Sequence, residues 1–310
     1  MTKVLITGGT GSFGQAFTEH LLGTKVERIV IYSRGEHAQE EMARQFPDSR
    51  LRFFVGDVRD RKRLELAMHG IDSVVHAAAL KIVPIAEYNP TECIATNIGG
   101  AENVVLAAIA SGVHRVIALS TDKAVNPINL YGASKLAAEK VFIAANNLSA
   151  GRCKFSVVRY GNVVGSRGSV LPFFQSLIAT GATSLPLTDD RMTRFWITMQ
   201  QAIEMVNTCH TLMRGREVYV PKIPSICIRD LIVALGCDYH LIGIRPGEKI
   251  HETLISEDES YLTMDYGDYF VVNGTANDPL MNGAYKSDTN TDYLNIDGLR
   301  RMLNGTATKH

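Results

Sequence analysis

Tyr131 and Lys135 stand four residues apart in LSTDKAVNPINLYGASK, the stretch from Leu119 to Lys135. On a helix that spacing puts both side chains on one face. A phenol ionises near pH 10 and is a poor base at neutrality. A neighbouring ammonium stabilises the phenolate and lowers that pKa. Such a pair is suited to removing a hydroxyl proton while hydride leaves the same carbon, with Lys135 also able to hold a nicotinamide ribose. Asp122 and Lys123 lie just ahead of the pair. An acid beside an amine is more than hydride transfer alone requires.

A second set of chemistry-bearing residues opens the chain. TGGTGSFG follows an apolar strand and begins a helix, with Gly8, Gly11 and Gly14 evenly spaced and Thr10, Ser12 and Phe13 among them. Glycines here permit a tight turn and close approach of the backbone to a pyrophosphate, which the helix N-terminus then attracts. The strand–turn–helix context makes this a dinucleotide site. An NAD enzyme would carry Asp or Glu at the end of the second strand for the ribose hydroxyl. This chain has Ser33 and Arg34 there. A hydroxyl and a guanidinium suit a 2′-phosphate, so the expected cofactor is NADP. Asp57 and Val58 end the third strand, where Asp57 would hold the adenine amino group or cap the next helix.

These residues need a scaffold. Short β-branched runs alternate with helical patterns: KVLIT, RIVIYSR, RFFVGDV, SVVHAAA, RVIALST and FSVVRYGNV, with helices between them. Apolar strands separated by helices predict a doubly wound parallel sheet of the α/β class, covered on both faces. Residues 1–165 form the expected dinucleotide domain, with 196–222 returning to it through a helix and the strand EVYVPK. Residues 166–195 and 223–310 form a smaller substrate domain over the C-terminal ends of the strands, where ligands bind. The tail after about Leu303 is small and polar and is expected to fray.

Composition narrows the classes. With 310 residues, 45% hydrophobic, the chain can bury a substantial core. Lys+Arg and Asp+Glu balance at 32 each, so no basic field points to nucleic acid. Five cysteines without a Cys-x-x-Cys pair fit free buried thiols in a reducing cytosol, and no metal-ligand spacing is seen. No signal segment opens the chain, and the apolar stretch Val104–Ala110 is too short to span a bilayer. A cytoplasmic protein is expected.

TGGTGSFG, HAAA, YGASK and RYGNV together resemble the extended short-chain dehydrogenase/reductases that act on nucleotide sugars. The resemblance covers nearly the whole chain. ALKIVPIAEYNP, STDKAVNPINLYGASK, RMTRFW and RPGEKIHETLISEDE are similar to the inverting UDP-N-acetylglucosamine 4,6-dehydratases, which begin pseudaminic acid biosynthesis for flagellin or surface glycans. Ile82 stands where that group has a histidine.

The resemblance implies roles. Thr121 would hydrogen-bond the sugar hydroxyl that Tyr131 deprotonates. With C4 oxidised, the C5 proton is acidic; neutral Lys123 would remove it and protonated Asp122 would help the 6-hydroxyl leave. Burial moves both pKa values in those directions. Ala77 and Lys81 would line the cofactor, Lys81 also reaching the sugar. Asn162 would contact the sugar nucleotide, Arg245 the diphosphate and Glu248 the uridine ribose. Arg194 would sit near the diphosphate, and Met192 and Thr193 near the uracil. Trp196 reads as core, as do Asn97 and Gly99. The implied partner is UDP-N-acetylglucosamine, and relatives of this group are homo-oligomers from dimer to hexamer. The alternative is a UDP-sugar 4- or 5-epimerase of the same family, against which the Asp122–Lys123 pair counts.

Overall fold

The computed structural model describes residues 1–274 and 280–307. Six parallel strands follow the apolar runs: β1 (Lys3–Thr7), β2 (Arg28–Ser33), β3 (Leu51–Val55), β4 (Ser73–His76), β5 (Arg115–Thr121) and β6 (Lys154–Tyr160). They lie in the order β3-β2-β1-β4-β5-β6. The order reverses between β1 and β4, and that switch point opens the ligand crevice at the strands' C-terminal ends. Val4, Leu5, Ile6, Val74, Val75, Val116 and Ile117 are buried under helices on both faces, which explains why these strands read as continuous apolar runs.

The strand Val218–Pro221 pairs parallel with β6, so the chain does return to the main sheet as expected. The sheet then gains an antiparallel hairpin, Thr263–Asp265 with Tyr269–Val272. The sequence reading had assigned those residues to the substrate layer. Their TMD and YFVV runs are short, and their pairing with Val218–Pro221 is long-range.

The remaining small sheets sit above the crevice. Asn162–Val163, Thr193–Ile197 and Ser225–Cys227 form one. Thr253–Ile255 pairs with Tyr285–Lys286 in another. Trp196 lies buried in the second apolar core with Phe174, Leu185, Leu231 and Leu299, as expected of a packing residue. All five cysteines are free thiols, four of them buried. The last helix runs Ile296–Ala307, so the expected fraying after Leu303 does not begin there; 308–310 lie outside the described residues.

One expectation is corrected outright. Pro90–Ala110 is a single helical stretch of 21 residues, long and apolar enough to cross a membrane by length and composition. The uninterrupted apolar run had hidden this, because polar residues such as Glu92 and Asn97 are spread along the stretch. Half of it is buried inside the fold. A π turn at Ala95–Gly99 interrupts it, and there Asn97 binds the Leu80 backbone and the Ser134 hydroxyl. Asn97 is thus a packing residue, as read.

A buried ionic knot ties the layers together beneath the crevice. Arg159 on β6 makes two bonds to Glu139 (2.6 and 3.0 Å) and two to Glu259 (both 2.9 Å), with a fifth to Leu254 O at 2.8 Å. Arg159 and Glu139 are almost wholly buried. Removing one partner of such a pair leaves an uncompensated charge. Arg159→Met should therefore lower the unfolding free energy by about 3–5 kcal/mol in chemical denaturation. An unchanged unfolding midpoint would show that the knot is solvated.

Candidate active site

A cleft of about 1160 Å³ runs along the switch point. It brings together Gly8, Thr10, Gly11, Ser12, Phe13, Gly14, Ser33, Arg34, Asp57, Val58, Ala77 and Lys81 at the dinucleotide end. Thr121, Lys123, Tyr131, Lys135, Asn162, Met192, Arg194, Arg245 and Glu248 line the other part. Two of the residues singled out from the sequence do not line it: Asp122 and Thr193.

The dinucleotide end fits the expected group. Gly8 has φ +64°, and a Cβ there would stand 2.9 Å from the Ala78 backbone. The loop after β6 covers this turn: Arg167 N donates to Ser12 Oγ (3.1 Å) and its guanidinium to Thr10 O. Lys81 Nζ donates to Arg167 O (2.8 Å), and partial burial together with the Arg167 charge depresses its pKa. Arg167 was not singled out in the sequence, although its Gly-rich GSRGS setting marks a loop. Ser33 Oγ accepts from Gln39 Nε2 (2.9 Å), which leaves its proton to donate. Arg34 is exposed, 3.8 Å from Asp57. Asp57 is not the helix cap; Asp60 caps that helix. Burial pushes the Asp57 carboxyl up, but hydrogen bonds from Arg59, then the Arg59 and Arg34 charges, bring it lower overall.

The tyrosine helix, Leu130–Leu148, is capped by Asn129, whose Oδ1 accepts from Gly132 N (2.8 Å) and whose Nδ2 reaches Gly247 O (2.8 Å). The cap therefore also fixes the RPGEK loop. Gly132 presses on the turn Asp122–Ala124: a Cβ there would come within 2.1 Å of Lys123 O. Only glycine lets the helix approach the acid–amine turn this closely.

The charges differ from the sequence expectation. Burial raises the Tyr131 phenol to about 12. The groups that oppose this are the Lys123 ammonium and a hydrogen bond with Thr121, not Lys135. Lys135 is buried, donates to Leu119 O (2.6 Å) and is lowered to about 8 by burial, against the pull of Glu139. The surroundings of Lys123 favour its charged form, against the neutral amine expected from the sequence. Burial depresses it, but Asp122 at 3.0 Å and Glu252 at 3.3 Å more than reverse that, and its pKa is raised.

Asp122 is wholly buried behind the cleft wall. Its Oδ1 accepts from Thr121 Oγ1 and Lys123 Nζ, both at 3.0 Å. That placement orients Thr121 and Lys123, while Oδ2 is buried without a hydrogen-bond partner and the residue does not line the cleft. Thr193 is buried among His251 (2.9 Å) and Ser287 (2.7 Å). Its hydroxyl is taken up by these two partners, and the residue does not line the cleft. Arg194 donates to the carbonyls of Thr193, Lys249 and Ile250, so it pins the 249–250 backbone. Arg245 and Glu248 pair with each other at the exposed lip.

Glu252 is the residue that sequence reasoning passed over. It is buried, lines the cleft and sits within 4.0 Å of Lys123, Lys249 and Arg194. KIHETL offered the signal, an acid just past the Glu248 motif. Asn162 Oδ1, Thr96 Oγ1 and Glu252 Oε2 are buried without hydrogen-bond partners, and all three residues line the cleft. A polyhydroxylated ligand would satisfy such atoms. Among the described residues no group of three or more His, Cys, Asp or Glu is placed to share a metal.

Lys135 gives a pH test. Its unfolded value is 10.5 and its folded value about 8, so between them the unfolded chain holds a proton that the folded chain has released. Stability from this position therefore rises with pH across that window. The stability difference between wild type and Lys135→Met should climb from about pH 8 to about pH 10.5 in urea melts. A flat difference would mean that Lys135 is solvated.

Comparison with known proteins agrees with this geometry. A family model described as polysaccharide biosynthesis protein matches residues 4–274. A Campylobacter jejuni subsp. jejuni serotype O:23/36 (strain 81-176) protein named UDP-N-acetylglucosamine 4,6-dehydratase (inverting) is 48% identical over 326 residues, 98% of each chain. A Rickettsia canadensis protein named UDP-glucose 4-epimerase is 42% identical over 278 residues, 86% of this chain and 81% of that one. The solved structure of Pen from Bacillus thuringiensis superposes with a TM-score of 0.93 at 35% identity, over 99% of this chain and 98% of that one. The matched span takes in the glycine turn, the tyrosine helix and the Glu252 segment. This chain belongs to the polysaccharide biosynthesis protein family and is built on the extended short-chain dehydrogenase/reductase fold.

Proposed function

We propose that this chain is an inverting UDP-N-acetylglucosamine 4,6-dehydratase that works with NADP. The observation that carries this reading is Lys123: a half-buried amine, paired with two carboxyl groups, facing the same cleft as Tyr131 and Lys135. Oxidation and reduction at one carbon need only the tyrosine end. Loss of water across C5 and C6 needs further proton-handling groups, and the cleft supplies them. The similarity to the Campylobacter jejuni dehydratase over nearly the full length of both chains supports the same reading.

The residues divide the work. The glycine turn and the Arg167 loop hold the nicotinamide dinucleotide, which when bound supplies a hydride acceptor and donor. Ser33 and Arg34 favour a 2′-phosphate, and so NADP over NAD. Thr121 and Tyr131 hold the C4 hydroxyl, and Tyr131 takes its proton. Lys135, buried behind the tyrosine, positions the ribose. Asn162 offers an open acceptor to the sugar. The lip pair Arg245 and Glu248 can separate to meet a diphosphate and ribose hydroxyls.

The epimerase alternative draws on the Rickettsia relatives, but their identity and coverage are lower. It also leaves the Lys123 cluster without a task. A cytoplasmic location, a homo-oligomer and a place at the start of pseudaminic acid biosynthesis belong to the proposal; the first rests on the unpaired cysteines and the other two on the sequence resemblance.

Proton NMR of UDP-N-acetylglucosamine with the protein in deuterated water is the test. The expected product has a new C6 methyl, deuterium at C5 and L-arabino couplings. Cofactor-stripped protein should regain turnover at lower NADP than NAD. Tyr131→Phe should lose roughly 10²–10⁴-fold in rate while still binding UDP. A C4-inverted sugar with no methyl and no deuterium would replace this reading with the epimerase.

A further inference from the structure

Lys249 is the third charged residue of RPGEK, the motif that gives Arg245 and Glu248 to the cleft lip. It lines the same cleft, with its side chain 14% exposed. Its Nζ donates to Val125 O at 2.7 Å, across 124 residues of chain. Glu252 Oε2 stands 3.9 Å from that nitrogen, beyond hydrogen-bond range. Burial lowers the Lys249 pKa from its ordinary value, against the pull of the Glu252 and Asp122 charges. Amine and ammonium both carry N–H, so the bond to Val125 O survives in either form. A half-buried amine spent on one backbone carbonyl carries a desolvation cost that an apolar residue would avoid. That points to a use beyond packing.

The two segments that the bond joins define that use. Val125 closes the turn Asp122–Ala124, its N–H donating to Asp122 O at 3.2 Å. Gly132 presses on this turn from the tyrosine helix, and Lys249 holds it from the lip loop. At the loop end, Arg194 donates to Lys249 O and Ile250 O, both at 3.0 Å, so the lysine reaches out from a fixed backbone. A second tie joins the same two segments: Asn129 Nδ2 donates to Gly247 O at 2.8 Å. Gly247 has φ +79°, and a Cβ there would lie 3.1 Å from Asn129 Cβ, so the loop sits directly on this segment. Asn129 also caps the tyrosine helix. The Lys249 bond goes to the turn's own closing residue.

We propose that Lys249 is a positioning residue for the elimination: it fastens the turn that carries Asp122 and Lys123 to the lip that meets the nucleotide. This rests on the dehydratase reading. The tie fixes where the turn's side chains stand relative to C5 and C6 of a sugar whose nucleotide is held at the lip. Lys249 transfers no proton. The C4 hydroxyl is met by Thr121 at the end of β5 and by Tyr131 on its own helix, and both have supports besides Lys249. A displacement of about 1 Å in a reacting group can cost roughly 10²-fold in rate. Loss of the tie therefore slows water loss more than C4 oxidation.

The test uses the holoenzyme and UDP-N-acetylglucosamine, following reduced-nicotinamide absorbance and C6 methyl formation separately in single turnovers. Lys249→Met should bind UDP within about threefold of wild type by calorimetry. It should oxidise C4 at close to the wild-type rate and form methyl product roughly 10–100-fold more slowly. Lys249→Arg, which can still donate to a carbonyl, should recover part of the methyl rate. If Lys249→Met does not fold, Lys249→Gln, polar but too short to reach Val125 O, gives the same readings. Methyl formation at the wild-type rate without the tie overturns the proposal. So does an equal loss of C4 oxidation, which would mark a general structural role, or an equal loss of UDP affinity, which would mark direct nucleotide binding. A wild-type chain that makes no methyl product would instead sink the dehydratase reading, and this assignment with it.

Discussion

The Lys123 ammonium is held between Asp122, its neighbour in sequence, and Glu252, from the far side of the fold. Much of the cleft's construction serves that contact. Thr121 ends β5 and caps the turn that carries Asp122 and Lys123. Gly132 lets the tyrosine helix press on the same turn, and Asn129 ties the helix to the loop that leads to Glu252. The strand after Glu252 pairs with Tyr285–Lys286, and Ser287 anchors Glu252 N. Losing one partner of a buried pair costs about 3–5 kcal/mol, which is enough to make this geometry self-selecting. The cluster joins the dinucleotide half to the substrate half at the place where both must meet a sugar.

A second cluster supports the first from below. Arg159 binds Glu139 and Glu259, and Glu139 also accepts from Ser120. Glu139 lies one helical turn beyond Lys135 and opposes the loss of its charge. Ser120 sits between Leu119, whose carbonyl receives Lys135, and Thr121. The tyrosine end of the cleft is thus braced by charges that never touch a ligand. Tyr131 remains a weak acid in the closed wall, because burial outweighs its one helpful cation. Bound dinucleotide and sugar must therefore complete its activation.

The sheet was legible because its signal is local. Each strand from β1 to β6 carries its own apolar run, and each glycine of the first turn follows directly from β1. The antiparallel hairpin at 263–272 was not legible, since its pairing depends on a strand far back in the chain. The site residues were mostly found, yet their charges were not. Asp122 and Lys123 read as a local pair whose burial would neutralise both. Asp122 raises the Lys123 pKa most and Glu252 adds to it, and sequence spacing cannot place Glu252 beside Lys123. The partners of Thr193 and Arg194, namely His251, Ser287 and Ile250, are likewise brought in by the fold.

The central claim is that Lys123 works as an ammonium. Heteronuclear NMR of protein labelled with ¹⁵N at lysine Nζ tests it directly, with Lys123→Met to assign the signal. Titrated from about pH 6 to about pH 10, the Lys123 signal should keep its ammonium shift throughout, because both carboxylates favour the charged form. A neutral-amine shift at pH 7 would contradict the account.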